Sequence, residues 1–186
     1  MRCVPLLLIG LAAPAFAEPQ QYSLDPTHSF VYFELKHFGT STIRGRIGPV
    51  DGGVVLDVAA GRGSVSLAIP TASVDTGLKV FDARIRERDL LASEAYPQAY
   101  FVAERFRFEG ERLAEVRGEF TLRGVSQPLS LRALHYACEY RELLKREVCG
   151  GDFEAEILRS EFGLTFGLPF VGNRVRLLVQ VEGVRQ

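Results

Sequence analysis

The sequence predicts a mainly β domain of about eight antiparallel strands, closed into a barrel or folded as a sandwich, with one short helix. Apolar and polar residues alternate with a period of two along segment after segment, and Gly, Pro, Asn and Asp punctuate the intervals. A single stretch breaks the alternation and carries a helical composition.

The first residues stand apart from the domain. Arg2 precedes a mostly apolar run from Val4 to Phe16 that contains Leu6, Leu7, Leu8, Ile9 and Leu11 and ends in Ala15-Phe16-Ala17. A basic residue, a short apolar stretch and an A-x-A ending form the pattern of a secretory signal cleaved after Ala17. The run falls short of the ~20 apolar residues of a membrane helix, and Pro5, Gly10 and Pro14 interrupt it. Residues 1–17 are therefore expected to be a signal peptide. Residues 18–186 are expected to form one domain, exported to the periplasm or outside the cell and long enough for a sizeable core.

Along that domain, Asp25-Pro26-Thr27-His28 reads as a turn in which Asp25 accepts from backbone amides. From Ser29 to His37, Ser29, Val31, Phe33, Leu35 and His37 fall on one face and Phe30, Tyr32, Glu34 and Lys36 on the other. Shorter strands are expected at Arg44–Ile47 and Val54–Val58, then one at Ser64–Ile69. Gly77 to Ala92 is rich in Arg, Glu, Asp, Ala and Leu and follows the cap candidates Asp75 and Thr76, which predicts the helix. Asp82 and Arg86 are spaced within it as an i, i+4 ion pair. Strands resume at Ala99–Phe108, Leu113–Leu122, Gln127–Ala137, Gly151–Leu158 and Asn173–Glu182. Short connections favour antiparallel neighbours, and this number of strands can close into a barrel. Val31, Phe33, Leu35, Phe101, Phe120 and Leu122 belong to one apolar interior. That interior is either a core packed to crystal-like density or a lined cavity, and periodicity does not decide between them.

Few constellations offer chemistry. None of the three histidines, His28, His37 and His135, has the i, i+2 or i, i+4 spacing of paired metal ligands, so no metal is expected. Asp25, His28 and Ser29 supply the residue types of a triad, but neighbours on one strand point alternately apart and cannot form a nucleophile–base–orienter chain. G-x-S-x-G, P-loop and G-x-G-x-x-G strings are absent, so neither an enzyme nor a cofactor is expected. The 22 Lys and Arg nearly balance the 23 Asp and Glu and are spread along the chain. That spread argues against nucleic-acid or acidic-membrane binding, which favours a basic stripe. Cys3 leaves with the signal. Cys138 and Cys149 then form an even pair, expected as a disulfide in an exported protein and as two thiols in a reducing compartment. Arg141, Glu142, Lys145, Arg146 and Glu147 mark the charged loop between them. On the helix, Arg84 and Arg88 either hold a phosphate head group as a guanidinium fork or lie on a solvated face.

Several strings, in order, resemble the YceI-like family of exported polyisoprenoid-binding proteins: YSLDPTHSFVYFELKHFG, RGRIG, VDTGLKVFDARIRERDLLASEAYPQAYF, VRGEFTLRGVSQPLSL and LRSEFG. His28, Ser29, Val31, Phe33, Leu35 and His37 meet the family's first strand pattern. Gly118, Phe120, Thr121, Leu122, Arg123, Gly124, Val125 and Pro128 meet its hairpin pattern, and Arg159, Ser160, Glu161, Phe162 and Gly163 its R-S-D-F-G. The resemblance implies an extended, lipocalin-like antiparallel barrel without catalytic residues. Its interior would hold a polyisoprenoid or similar long-chain amphiphile, such as an isoprenoid quinone, a prenyl pyrophosphate or a fatty amide. Ligand contacts are then expected from Val31, Phe33, Leu35, His37, Phe81, Leu90, Leu91, Phe101, Phe120, Leu122 and Phe162, with Arg84 and Arg88 at the head group. Relatives often carry His and a Phe-Phe or Trp-Leu pair where this chain has Arg84 and Leu90-Leu91, and the Cys138–Cys149 segment is not part of the family pattern. Pairing into a homodimer fits the resemblance, as does the absence of stable membrane insertion. A small periplasmic enzyme acting on a bound lipid or quinone is the competing reading, and a scavenging module without a dedicated lipid is a third.

Overall fold

The computed structural model describes residues 18–57, 60–110 and 112–186. The expected signal segment, residues 1–17, and Val58 at the end of one expected strand lie outside the described residues. The strands are β1 (Gln20–Leu24), β2 (Phe30–His37), β3 (Ser41–Ile47), β4 (Asp51–Asp57), β5 (Arg62–Pro70), β6 (Gln98–Glu109), β7 (Arg112–Leu122), β8 (Val125–Arg141), β9 (Arg146–Leu158) and β10 (Val171–Arg185), with helix α1 (Lys79–Ile85) between β5 and β6. Among the described residues no helix is long and apolar enough to cross a membrane.

Ten strand segments make an eight-stranded wall. The ring runs β1-β4-β5-β6-β7-β8-β9-β10 and closes through β10 onto β1, and β2 and β3 extend it. The long edge of β10 pairs with β2 from Val171 to Gln180 and with β1 from Gly183 to Arg185. Thus β1 and β2 are two halves of one course around the barrel, interrupted at Asp25–His28. Their partners β4 and β3 follow suit. At the interruption the Thr27 amide and hydroxyl donate to Asp25 Oδ1 at 2.8 and 2.6 Å, the turn expected from the sequence. Buried Ser29 donates to the Glu182 carbonyl at 3.4 Å and accepts from its amide at 3.3 Å, which fills the gap in the ladder between β1 and β2. Strand β1 escaped the sequence reading because only Tyr22 of its five residues is buried, too short a pattern to show alternation.

The structure departs from three expectations around α1. The helix ends at Ile85, well before Ala92. Beyond it the chain tightens into turns in which the Leu91 amide donates to Ile85 and the Ala92 amide to Glu87, with Ala92 at a φ of 50°. Neither Asp75 nor Thr76 caps it, since the N-cap residue is Leu78, without a side-chain cap bond. Asp82 also does not pair with Arg86. Its carboxylate accepts from the Thr76 hydroxyl and amide at 2.6 and 2.7 Å, and these bonds hold it below the usual carboxylate range.

The charged Cys138–Cys149 segment, expected as a loop, is instead a hairpin in which β8 and β9 run on past the neighbouring strands. Cys138 and Cys149 lie directly opposite each other and are disulfide-bonded.

Candidate binding cavity

Strand alternation sends every second side chain inward, and the inward set does not meet in the middle. Val31, Phe33 and Leu35 of β2, Phe101 of β6, Phe120 and Leu122 of β7 and Leu177 of β10 line a cavity of about 470 Å³. Its deep end is formed by Leu67, Phe101, Leu131 and Val179, which also border a second apolar void of about 70 Å³ toward the hairpin end. Cross-strand pairing opens part of this space. Gly45 sits opposite Phe33, and a Cβ there would come 2.5 Å from Phe33 Cζ, so the ring lies back against the glycine backbone.

The other end is covered by α1 and two loops. Phe81 and Ile85 of α1 face the cavity with Leu90 and Leu91 from the turns that follow. Arg123 positions those turns, donating to the Leu90 carbonyl at 2.6 Å and the Gly163 carbonyl at 3.3 Å. Arg159 organises the segment from Gly163 to β10. It is 4% exposed and donates to the carbonyls of Leu164 at 2.7 Å, Gly172 at 2.8 Å and Val171 at 2.9 Å, and burial lowers its pKa.

Among the described residues four lining side chains are polar: His37, Thr71, Arg84 and Arg159. Thr71 donates to the Tyr96 carbonyl at 2.8 Å. His37 packs edge to face on Phe38 with centroids 4.6 Å apart. Arg84 forms a bidentate pair with Asp89 at 2.6 and 2.7 Å, reaches Glu87 at 3.3 Å and lies 4.3 Å from the centroid of Phe166. The Asp89 bond raises the Arg84 pKa and lowers that of Asp89. No carboxylate lines the wall among the described residues. Such a cavity is suited to apolar cargo.

Ten of the eleven interior candidates border this space. Phe162 does not: it is fully buried behind the wall, edge to face with Phe120 at 5.5 Å. Of the head-group arginines, Arg84 borders the cavity with its donors engaged by acids, and Arg88 is exposed and off the lining. The reading missed Phe38, Leu164, Phe166 and Phe170, which border the mouth from a turn and a loop where no strand period marks them. It also missed Glu182, which joins Asp25 and His28 with ligand-type atoms within 4.8 Å of one another. That cluster is on the outside of the barrel turn. Asp25 Oδ2 is 2.9 Å from His28 Nδ1, which raises the His28 pKa, with Glu182 adding to the rise.

The profile of the YceI-like domain matches residues 22–183. The chain belongs to the YceI-like family. Protein YceI of Escherichia coli O157:H7 is 30% identical over 180 residues, covering 96% of this chain and 93% of that protein. The same fold recurs in BcnA of Burkholderia cenocepacia, with a TM-score of 0.67 at 22% identity over 83% of this chain and 95% of that one. A polyisoprenoid binding domain from Saccharophagus degradans, implicated in plant cell wall breakdown, superposes with a TM-score of 0.63 at 20% identity over 89% and 98% of the two chains. The YceI-like fold thus accounts for the closed antiparallel barrel and for α1, the one α-helix among the described residues.

Proposed function

We propose that this YceI-like chain is an exported carrier that binds a polyisoprenoid, or a similarly long amphiphile with an uncharged head, in its barrel. The observation that carries this reading is the apolar cavity of about 470 Å³ whose two arginines are already engaged, Arg84 by Asp89 and Glu87 and Arg159 by three carbonyls. Burial of an apolar tail at ~25 cal/mol per Å² gives ample gross affinity over several hundred Å² before the losses of association. A pyrophosphate head would have to displace Asp89 from Arg84 and sit beside Glu87, so a quinone, alcohol or amide head fits better. Export is supported by the N-terminal signal pattern and by the disulfide. The relationship to a polyisoprenoid binding domain is consistent with this cargo.

Native mass spectrometry of protein purified from its own host, followed by organic extraction, tests the proposal. A co-purifying prenyl chain released intact is the expected result. Reproducible turnover of that lipid would replace the carrier by an enzyme, and a cavity empty of lipid would leave the carrier without cargo.

A further inference from the structure

Three phenylalanines at the mouth belong both to the cavity and to the surface. Phe38, in the β2–β3 turn, is 58% exposed, and Phe166 and Phe170 are 54% and 64% exposed, yet all three border the cavity. Phe38 stacks on Phe170 with centroids 5.7 Å apart, and its amide donates to the Phe170 carbonyl at 2.8 Å. The turn and the loop therefore hold the rings as one lip, and the buried Arg159 fixes the backbone on either side of Phe166 and Phe170. Leu78 and Val80, 58% and 72% exposed, stand at the start of α1, the helix that covers the same end.

We propose that this apolar lip docks on the surface of a lipid bilayer, so that cargo moves between the acyl phase and the cavity without crossing water. The proposal rests on the carrier reading of the cavity. Area favours a bilayer over a protein partner: with each ring offering roughly 200 Å², the exposed parts of the three sum to roughly 350 Å². A stable protein interface needs about 800 Å² per partner. Continuity favours it as well, because the lining runs unbroken from Leu177 and Leu35 out to rings that already face solvent. Charge bears on the mode of docking. Arg84 at the lip is neutralised by Asp89 and Glu87, whereas Lys79, between Leu78 and Val80, and Lys36, beside the β2–β3 turn, are exposed. The docking proposed is shallow apolar insertion, and attraction of these lysines to anionic head groups is the alternative that the test separates from it.

The test uses the delipidated chain, residues 18–186, in two assays: co-sedimentation with vesicles of pure phosphatidylcholine, and binding of a short fluorescent prenyl alcohol in vesicle-free solution. Wild type is expected to sediment equally in low and high salt. Leu78→Ser combined with Val80→Ser, which leaves the cavity lining intact, is expected to partition onto vesicles about tenfold more weakly while binding the prenyl alcohol as wild type does. Phe166→Ser with Phe170→Ser should abolish sedimentation. Wild type that binds the prenyl alcohol but fails to sediment overturns the lip and leaves the carrier standing; sedimentation without prenyl binding overturns the carrier and the transfer role with it. Vesicle binding that requires anionic lipid and disappears in salt overturns apolar insertion, and a light-scattering dimer broken by Phe170→Ser assigns the lip to a second copy instead.

Discussion

Arg159 shows how one side chain shapes the cavity without offering itself to a ligand. Its guanidinium spends three donors on the diverging carbonyls of Leu164, Val171 and Gly172, a geometry that a single ammonium cannot match. Arg159→Lys is therefore expected to cost ~2–4 kcal/mol, because carbonyls in a buried site lose their donors. The check is a urea melt, and wild-type stability in the variant would contradict the assignment. The pair Asp25–His28 makes a pH prediction. Asp25 is lowered from 3.8 to about 2 by its bonds from Thr27 and His28, so its stabilisation is present above pH 3.8 and is lost as pH falls toward 2. His28 is raised above 6.5 chiefly by its bond to Asp25, so its stabilisation is present below pH 6.5 and fades as pH rises through the raised value. Urea midpoints measured across this range should show wild type losing its advantage over His28→Gln at both ends, and a constant difference would rule the pair out as the cause. The Asp25 turn was legible because a Pro and a Thr follow the Asp directly. Glu182 was not, since its place beside His28 comes from the β10 pairing and from no local spacing.

Among the elements, the Cys138–Cys149 hairpin is held by the disulfide and by the paired ends of β8 and β9. A cross-link with a sequence separation of 11 is expected to stabilise the chain by ~3 kcal/mol through loss of unfolded-state entropy. Cys138→Ser with Cys149→Ser should lower the melting temperature and accelerate hydrogen exchange from Cys138 to Cys149. Exchange in β4 and β5, across the ring from β8 and β9, should be unchanged, and protection lost evenly over the barrel would show that the hairpin is not a local unit. The sequence marked this segment by charge, and charge reads as loop where the residues from Glu139 to Arg146 at the hairpin's tip are all exposed. The same limit applies to α1. Its composition runs on to Ala92, but Leu90 and Leu91 must turn down over the cavity while Arg123 holds the Leu90 carbonyl, and a continuous helix cannot do both. By contrast β2, half buried along its length, shows its faces plainly in the alternation from Ser29 to His37.

At the scale of the whole molecule, the antiparallel all-β architecture was legible, because alternating segments joined by short Gly-, Pro-, Asn- and Asp-punctuated connections leave few ways to close. Whether the barrel is full was not, since alternation fixes the direction of a side chain and not the distance to the opposite wall. The void depends on register, as at Phe33 and Gly45, and on loops such as Gly163–Phe170 that follow no period. This distinction can be measured. Val31 lies near the deep end, paired with Val179 and Ile47. In a solid core, Val31→Phe adds volume where none exists and costs ~1–3 kcal/mol through overpacking. Beside a cavity of about 470 Å³ the added ring has room, so delipidated Val31→Phe is expected to melt within a degree or two of wild type. It should at the same time shorten the space for a tail, so binding across a series of prenyl alcohols should fall most for the longest chains and least for the shortest. Leu35→Trp, nearer the mouth, should obstruct long and short chains alike. Phe33→Asp serves as the control, since a buried unpaired carboxylate costs stability whether the barrel is full or hollow. Strong destabilisation by Val31→Phe with no dependence on chain length would mean that the walls interlock in solution, and the carrier proposal would fall with the cavity.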